Sequence, residues 1–313
     1  MRFDKRAAAL AMALSPSAFA GGCSDPGAHL LALPVRVTTE TLQPVEGLQA
    51  NNFVLKESKA PLAICGVSHA IQPVSVGILL DVSGSMRGSY DAGPPMMRAA
   101  VNALLDSSRP EDEYFLEYVN DVAHMQCLFS CDRQHIRDGL QVKPKGQTAL
   151  IDGIYLALHG MSKAHHANRA LLLISDGEEN ASLYRLKELN NGFSQEPVLM
   201  FMVSPPSPWF SPALARWHEI PRVHETAGDF TSLVTRSGGY SLAVHGPGDA
   251  VATIAKMALV IRAPYTLLFA IPAGRDPKSP RGLRVEVTGM HPKPQLYYGI
   301  IHDPATGAAA PLR

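Results

Sequence analysis

The sequence predicts an α/β fold: a doubly wound, mostly parallel sheet with a small β module that the N- and C-terminal flanks form together. Short, almost wholly apolar runs at Val74–Leu80, Ala170–Ile174 and Val198–Val203 are typical of strands buried on both faces of a parallel sheet. Helical periodicity separates these runs, whereas the flanks show strand patterns and Pro/Gly-rich turns. We therefore divide the chain into a signal peptide at 1–20, N-terminal strands at 31–72, a central domain at 73–263 and C-terminal strands at 264–301.

Residues 1–20 have the three parts of a secretory signal peptide. Three basic side chains lie in Met1–Arg6, Ala7–Leu14 is a short apolar core, and Ala18–Ala20 is an A-x-A cleavage site. No later apolar stretch reaches the length of a transmembrane helix. We therefore expect an exported mature protein, periplasmic or extracellular, without a transmembrane span.

The cysteines leave an alternative open. Residues 20–23, AGGC, are a degenerate lipoprotein box, so a lipid anchor at Cys23 would make the protein an outer-envelope lipoprotein. Plain cleavage after residue 20 would instead leave Cys23 free to pair, and the 4 cysteines permit two disulfides. A bridge between Cys127 and Cys131 needs a bend at 128–130, because extended strand would separate their Cα atoms by roughly 13 Å. We expect that bend and that bridge.

Each flank contributes three short strands. We predict them at Leu33–Thr39, Phe53–Leu55 and Leu62–Val67, and at Tyr265–Ile271, Leu283–Thr288 and Gln295–Ile301. Three short strands are too few to bury a two-sided core. We therefore expect the two flanks to fold as one unit.

The central domain alternates between strands and helices. Glu113–Val119 is a further strand and His124–Phe129 an edge strand, while helical spacing appears at Ile151–Leu158 and at Asp249–Arg262. An irregular insert at Pro205–Glu225 contains both tryptophans. This alternation is the pattern of an open sheet covered by helices.

Composition and missing motifs exclude several classes of protein. Charged residues make up 18% and apolar residues 46% of the 313 residues, a globular composition. Lys plus Arg and Asp plus Glu number 28 each, so the chain has no net positive charge that would attract nucleic acid. The chain has no Gly-rich phosphate loop and no G-x-S-x-G nucleophile motif, and its histidines lack the i,i+4 spacing of a helical zinc site. We expect neither a nucleic-acid partner nor catalysis.

Five oxygen-bearing side chains lie where predicted strands end or a helix begins. Asp81, Ser83 and Ser85 follow the first buried strand, Asp176 follows the second, and Thr148 lies where a loop becomes a helix. Ligands of open parallel sheets gather outside the carboxyl ends of the strands, so these side chains should converge. Carboxylate and hydroxyl oxygens suit Mg²⁺ or Mn²⁺. Taken singly, Thr148 would equally suit a helix N-cap.

The D-x-S-x-S motif at 81–85, followed by Thr148 and Asp176, resembles the complete metal-ion-dependent adhesion site of von Willebrand factor A (vWA) domains. The domain at 73–263 is accordingly identified as a member of that family. The flanks resemble those of secreted vWA-related proteins of acidobacteria, through Gly47-Leu48 ahead of Phe53 and through Tyr298-Gly299 near the end. The resemblance implies a metal bound by Asp81, Ser83, Ser85, Thr148 and Asp176, but names no ligand.

The resemblance implies metal-dependent binding of a protein that offers an Asp or Glu carboxylate to the ion, in cell adhesion or envelope assembly. Two alternatives stay open: a hydrolase in which the ion activates water, and a structural assembly subunit with a vestigial metal loop. Asp152, one helical turn beyond Thr148, is expected to support the loop and not to bind the metal. Glu178 and Glu179 could extend the outer shell of the metal, but we interpret them as a solvated acidic loop.

Overall fold

The computed structural model describes residues 23–88, 93–129, 131–195, 198–205, 227–262, 264–275, 280, 282–306 and 308–312. The signal peptide predicted at 1–20 and nearly all of the insert predicted at Pro205–Glu225 lie outside these residues. Among the described helices, none combines the length and the apolar character that crossing a membrane requires.

Fifteen strands occur in the described chain. They are β1 (His29–Thr38), β2 (Phe53–Glu57), β3 (Ala60–Leu62), β4 (Ile64–His69), β5 (Ser75–Asp81), β6 (Glu113–Val119), β7 (Ala123–Cys127), β8 (Arg169–Ile174), β9 (Leu199–Ser204), β10 (Ser241–Ala243), β11 (Tyr265–Ile271), β12 (Leu283–Val287), β13 (Gln295–Tyr297), β14 (Ile300–His302) and β15 (Ala309–Pro311).

The central sheet has the strand order β10-β9-β8-β5-β6-β7. Neighbouring strands are parallel except β6 and β7, which are antiparallel. From β5 the chain first builds outward through β6 and β7 and then returns to the other side of β5 with β8. The strand order therefore reverses between β5 and β8, which is where ligands bind in open sheets of this kind.

Helices cover both faces of this sheet, so the predicted doubly wound α/β class is confirmed. The helices are α1 (Ser85–Gly88), α2 (Gly93–Asp106), α3 (Arg133–Gly139), α4 (Leu150–Met161), α5 (Leu186–Gln195), α6 (Ala227–Arg236) and α7 (Pro247–Arg262). Apolar residues of α2, α3 and α7 pack on one face, and those of α4, α5 and α6 on the other. Successive residues of β5 serve the two faces in turn, with Ile78 and Leu80 in the first cluster and Leu79 in the second.

The two flanks of the chain pair with each other strand by strand. β1 runs antiparallel to β11 from His29 opposite Ile271 to Val35 opposite Tyr265, and β2 pairs with β12. Leucine, valine and aromatic side chains from both flanks form a third buried cluster. Neither flank could bury these residues alone, because β11 lies between β1 and β4 and β12 pairs with β2, so each sheet of the module takes strands from both flanks.

Some strand boundaries differ from the prediction. The segment predicted as one strand at Gln295–Ile301 forms two, β13 and β14, with Gly299 between them. A Cβ at Gly299 would lie 2.5 Å from the main chain of Ser237, so the chain passes too close to its neighbour there for an ordinary residue. A further strand, β15, pairs with β14 beyond the predicted end of the module.

A buried arginine joins the module to the central domain. Arg36 of β1 donates from Nη2 to Oδ1 of Asn168 at 2.9 Å and to the carbonyl of Ile261 at 3.3 Å. Asn168 precedes β8, and Ile261 lies in the last turn of α7. The side chain therefore fixes the module against the edge of the domain opposite the carboxyl ends of β5 and β8.

Both cysteine pairs form disulfides. Cys127 and Cys131 are bridged with Cα atoms 5.9 Å apart, and the amide of Cys131 donates to the carbonyl of Leu128 at 3.0 Å. The predicted bend and bridge are confirmed. Cys23 is bridged to Cys65, so the alternative of a lipid anchor at Cys23 is incompatible with this structure, because one Sγ cannot carry both bonds.

Deleting residues 264–313 is expected to unfold the N-terminal strands. The deletion removes β11 and β12, which are the partners of β1 and β2, and exposes the apolar side chains of the shared cluster. Limited proteolysis should then cut within 29–69, whereas the intact chain stays uncut there. If residues 29–69 of the truncated chain resisted protease as well as those of the intact chain, the flanks would not be one folding unit.

Candidate metal centre

Four of the five predicted ligands lie at the carboxyl ends of two adjacent strands. Asp81 is the last residue of β5, Ser83 lies in the turn that follows, Ser85 is the first residue of α1, and Asp176 lies two residues beyond β8. Since β5 pairs directly with β8, these ends meet where the strand order reverses. The polar side chains lie at these ends because the apolar run that forms each strand gives way to polar residues there.

Asp81 is held rigidly by its neighbours. Its side chain is fully buried, Oδ1 accepts from the amide of Ser83 at 2.9 Å, and Oδ2 accepts from the hydroxyl of Ser175 at 2.6 Å. Both oxygens therefore have fixed positions, and each retains lone pairs for a further ligand.

A chain of hydroxyls connects Asp81 to Asp176. The Oγ atoms of Ser83 and Ser85 are 3.0 Å apart, and Ser85 donates to the Asp176 carboxylate. Asp176 also accepts from the amide of Glu178 at 3.1 Å. These contacts place two carboxylates and two hydroxyls in one cluster, which the sequence motifs alone could not establish.

The surroundings of the two carboxylates disfavour their charged forms. Burial, followed by the nearby charge of Asp176, raises the pKa of Asp81 to about 7, although hydrogen bonds from Ser175 and Ser83 oppose the shift. Burial likewise raises the pKa of Asp176. Among the described residues, no Lys, Arg or His forms an ion pair with either carboxylate. A divalent cation would offset the free-energy cost of ionising both carboxylates, so the residues present fit such an ion.

Thr148 lies on the adjoining loop. Lys145 donates its amide to the carbonyl of Val82 at 2.7 Å, and the amide of Gly84 donates to the carbonyl of Gly146 at 2.9 Å, so the loop is fastened to the Asp81 segment. Gly146 has φ +82°, and a Cβ there would lie 2.2 Å from Asp121, so this turn requires glycine. The described hydrogen bonds of Thr148 are made by its main chain, which leaves its buried hydroxyl available as a ligand.

Three residues that sequence reasoning did not assign to the site organise it. Ser175 orients Asp81, and Asn180 accepts from the amide of Thr148 at 2.9 Å. Glu179 is buried, not solvated as interpreted, and accepts from the amides of Ile151, Ala181 and Ser182. Ser175 could have been noticed as a polar residue ending an apolar run. The role of Glu179 had no sequence signal, because Ile151 is distant in the chain.

Asp152 supports the loop after Glu179. Its carboxylate accepts from the amides of Leu183 and Tyr184 at 3.0 and 2.9 Å. Both oxygens are therefore engaged with the main chain of another segment and not with the four clustered ligands.

Asp152→Asn is expected to weaken Mn²⁺ binding by about tenfold or less, because the amide keeps one acceptor and loses the other. Titration of the variant followed by the electron paramagnetic resonance of free Mn²⁺ measures the affinity. A loss as large as that caused by Asp81→Ala would place Asp152 among the direct ligands.

Comparisons with known proteins find one family model that matches part of the chain. Residues 76–179, about a third of the chain, match the family model described as von Willebrand factor type A domain. No curated protein matches the sequence.

Solved structures with a similar fold come from several organisms. A von Willebrand factor type A protein from Catenulispora acidiphila has a TM-score of 0.49 and 11% identity, over 87% of this chain and 72% of that one. An aerotolerance-related membrane protein from Bacteroides fragilis has a TM-score of 0.45 and 17% identity, over 59% and 98%. Proximal thread matrix protein 1 from the mussel byssus, with a zinc-occupied MIDAS motif, has a TM-score of 0.48 and 13% identity, over 66% and 50%.

The chain thus spans about half the length of the mussel protein. The family match covers β5, β6, β7 and β8 together with all five predicted ligand positions up to Asp176. Residues 76–179 are thus similar to a von Willebrand factor type A domain, and the flanking strands of the chain lie outside the match.

Proposed function

We propose that this chain binds a protein partner through a divalent cation, Mg²⁺ or Mn²⁺, held by Asp81, Ser83, Ser85, Thr148 and Asp176. One observation carries the proposal. Two carboxylates are buried side by side at the carboxyl ends of β5 and β8 with hydroxyls between them, and no basic side chain of the described residues is paired with either. Buried like charges are costly unless a cation compensates them.

The donor set decides which cation fits. Carboxylate and hydroxyl oxygens are hard ligands, and the five predicted ligands include no sulfur or imidazole, so Mg²⁺ and Mn²⁺ suit the site better than softer ions. Only Asp81 and Asp176 contribute negative charge, whereas the three hydroxyls are neutral. Once bound, the ion supplies a Lewis-acidic position for one further oxygen ligand.

A carboxylate of the partner is the ligand that such a site favours. With three neutral hydroxyls among five ligands, an incoming Asp or Glu adds charge where the chain's own residues supply little. vWA domains generally act in metal-dependent protein–protein interaction, which supports this proposal. The predicted signal peptide and the two disulfides support an exported protein that acts in adhesion or envelope assembly.

A hydrolase is the competing function, and the local contacts argue against it. In such a hydrolase the ion would activate water, and a general base within hydrogen-bond reach of the site would take the proton of that water. In the described contacts, the partners of the Ser83 and Ser85 hydroxyls are each other, Asp81 and Asp176, with no histidine or lysine among them. We therefore propose binding without catalysis.

A metal-dependent pulldown tests the function. The purified chain is immobilised and incubated with the native cell-envelope fraction in Mn²⁺, in Mg²⁺ or in chelator. We expect the partner to be retained with either metal and released by chelator. Ser83→Ala and Thr148→Ala should lose the partner, because each removes one oxygen ligand without removing a buried apolar side chain.

Ser162→Ala is the matched control, since this exposed serine bonds only to the carbonyl of His159 at the end of α4 among its described contacts. It should retain the partner. Retention of the same partner by the Ser83→Ala protein, or in chelator, would support the vestigial metal loop. Turnover of phosphate or carboxylate esters that depends on Asp81 would support the hydrolase.

A further inference from the structure

A second group of ligand-forming side chains lies at the edge of the central sheet. The edge strand β7 ends at Cys127, the chain turns back so that the amide of Cys131 meets the carbonyl of Leu128, and α3 begins two residues later. His135 lies in the first turn of that helix. The two sulfurs and one ring nitrogen of His135 all lie within 4.8 Å of one another.

The local fold fixes this arrangement. Asp132 caps α3 by accepting from the amide of His135 at 2.7 Å, so the backbone that carries the imidazole has a defined position. Cys127 and Cys131 pack partly against the apolar cluster beneath α2 and α7, while His135 is exposed. The group is thus apolar on its inner side and open to solvent on its outer side.

The cysteines are bridged in this structure, and a bridged sulfur is not a thiolate ligand. Opening the bond takes two electrons and two protons from a dithiol, which becomes a disulfide, and leaves two thiols on this chain. Binding of a cation then releases the two thiol protons. Bridge and metal therefore exclude each other.

The bridge closes a short loop at an accessible position. The two cysteines are separated by 4 positions, against 42 for Cys23 and Cys65. Since the constraint on the unfolded chain grows with loop length, this bridge contributes less to stability than the other. Its sulfurs are half-buried at the sheet edge. The bond can therefore open to a dithiol while the central domain stays folded.

We propose that Cys127, Cys131 and His135 form a redox-gated binding site for one thiophilic cation such as Zn²⁺ or Cu⁺. Two thiolates and an imidazole are the soft donors that these ions prefer, and they differ from the all-oxygen cluster at Asp81. In a tetrahedral zinc centre, Zn–S and Zn–N distances of about 2.3 and 2.1 Å place ligand atoms roughly 3.5 to 3.8 Å apart. Once the bridge opens, the observed cluster reaches this spacing by side-chain movements alone. Solvent takes the fourth position.

Cobalt is the probe, because thiolate ligands give Co²⁺ an intense near-ultraviolet charge-transfer band that oxygen ligands do not give. The full chain is reduced with a dithiol, freed of reductant without air and titrated with Co²⁺. We expect one bound cobalt with a thiolate band, which Zn²⁺ abolishes by displacement. The oxidised chain should show no band. Circular dichroism of the reduced chain should match that of the oxidised chain.

Three variants assign the signal. Cys127→Ser combined with Cys131→Ser should remove the band, which separates these thiols from Cys23 and Cys65. His135→Ala should weaken cobalt binding by at least about tenfold. His124→Ala is the matched control, because His124 is an exposed histidine of β7, the strand that ends at Cys127, and lies outside the cluster. The affinity of this variant for cobalt should equal that of the unchanged chain.

Several results would overturn the proposal. These are a band that persists in the double cysteine variant, equal affinities for His135→Ala and His124→Ala, no band in the reduced chain, or loss of the folded spectrum on reduction. The last two would leave the bridge with a structural role only.

Discussion

Asp81→Ala is expected to lower the affinity for Mn²⁺ and Mg²⁺ by about 100-fold or more. Asp81 supplies one of only two negative charges in the cluster, and charges near a partly desolvated cation contribute several kcal/mol each, of order 4 kcal/mol at 4 Å. The Ser83 amide and the Ser175 hydroxyl would also lose the acceptor that fixes their positions.

The affinity is measured by titration with Mn²⁺ and by the rise in melting temperature that saturating metal causes in each protein. Asp81→Asn separates charge from shape, because the amide keeps one oxygen acceptor but carries no charge. It should lose the metal nearly as completely as Asp81→Ala while staying folded. Asp106→Ala is the matched control, since this exposed carboxylate on α2 pairs with Arg137 at 2.7 Å, away from the cluster. It should bind Mn²⁺ like the unchanged chain.

Loss of the metal should carry loss of the partner. At Mn²⁺ concentrations that saturate the Asp106→Ala control, that control should retain the partner and the Asp81→Ala protein should not. Replacing one acidic residue of the partner with alanine should have the same effect. A partner that binds Asp81→Ala and Asp106→Ala equally well would contact the chain elsewhere, and the proposed mechanism would then be wrong.

The sequence was sufficient to predict the central sheet and the proximity of Asp81 and Asp176, two of the predicted ligands. β5 is buried at every residue, and strands buried on both faces are mostly apolar, as residues 76–80 are, so the end of β5 is visible in the sequence where Asp81 begins the polar segment. The same holds for β8 and Asp176. Because parallel strands share one carboxyl edge, the two acids had to be neighbours once β5 and β8 were neighbours.

The residues that hold the site in shape could not be predicted in the same way. Glu179 fastens the start of α4, and Asn180 fastens Thr148, through contacts between segments that are far apart in the chain. The splitting of the last predicted strand at Gly299 depends on a close approach to Ser237, which no local pattern records. Pairing of this kind is a property of the packed chain and not of sequence periodicity.

Glu117 is a further residue whose surroundings depend on the packed chain. It lies in the middle of β6, where its side chain is fully buried between Leu79 of β5 and Met125 of β7 and against α4. Neither carboxyl oxygen has a hydrogen-bond partner in the described chain. Burial raises the pKa of Glu117 from 4.5 to about 9. The sequence pattern assigned it to a strand but gave no sign of this environment.

The sign of the resulting pH dependence follows from linkage. Below pH 4.5, folded and unfolded chains both hold the proton, and Glu117 imposes no ionisation cost. Between 4.5 and about 9 the folded chain keeps the proton that the unfolded chain releases, so stability falls as pH rises, by about 1.4 kcal/mol per pH unit. At pH 7 the accumulated cost is about 3 kcal/mol, and above pH 9 it stops growing.

Glu117→Met is therefore expected to stabilise the protein by about 3 kcal/mol at pH 7, with little gain at pH 4.5 and a larger gain at pH 8. Met has a similar length and suits an apolar site. Chemical denaturation at each pH measures the free energy of unfolding. Glu113→Gln, on the same strand, should show the opposite trend. Hydrogen bonds from Ser75 and His165 lower the pKa of Glu113 despite its partial burial, so its contribution is present above the unfolded pKa and lost as pH falls. A gain from Glu117→Met that is the same at every pH would mean that Glu117 does not hold a proton in the folded chain.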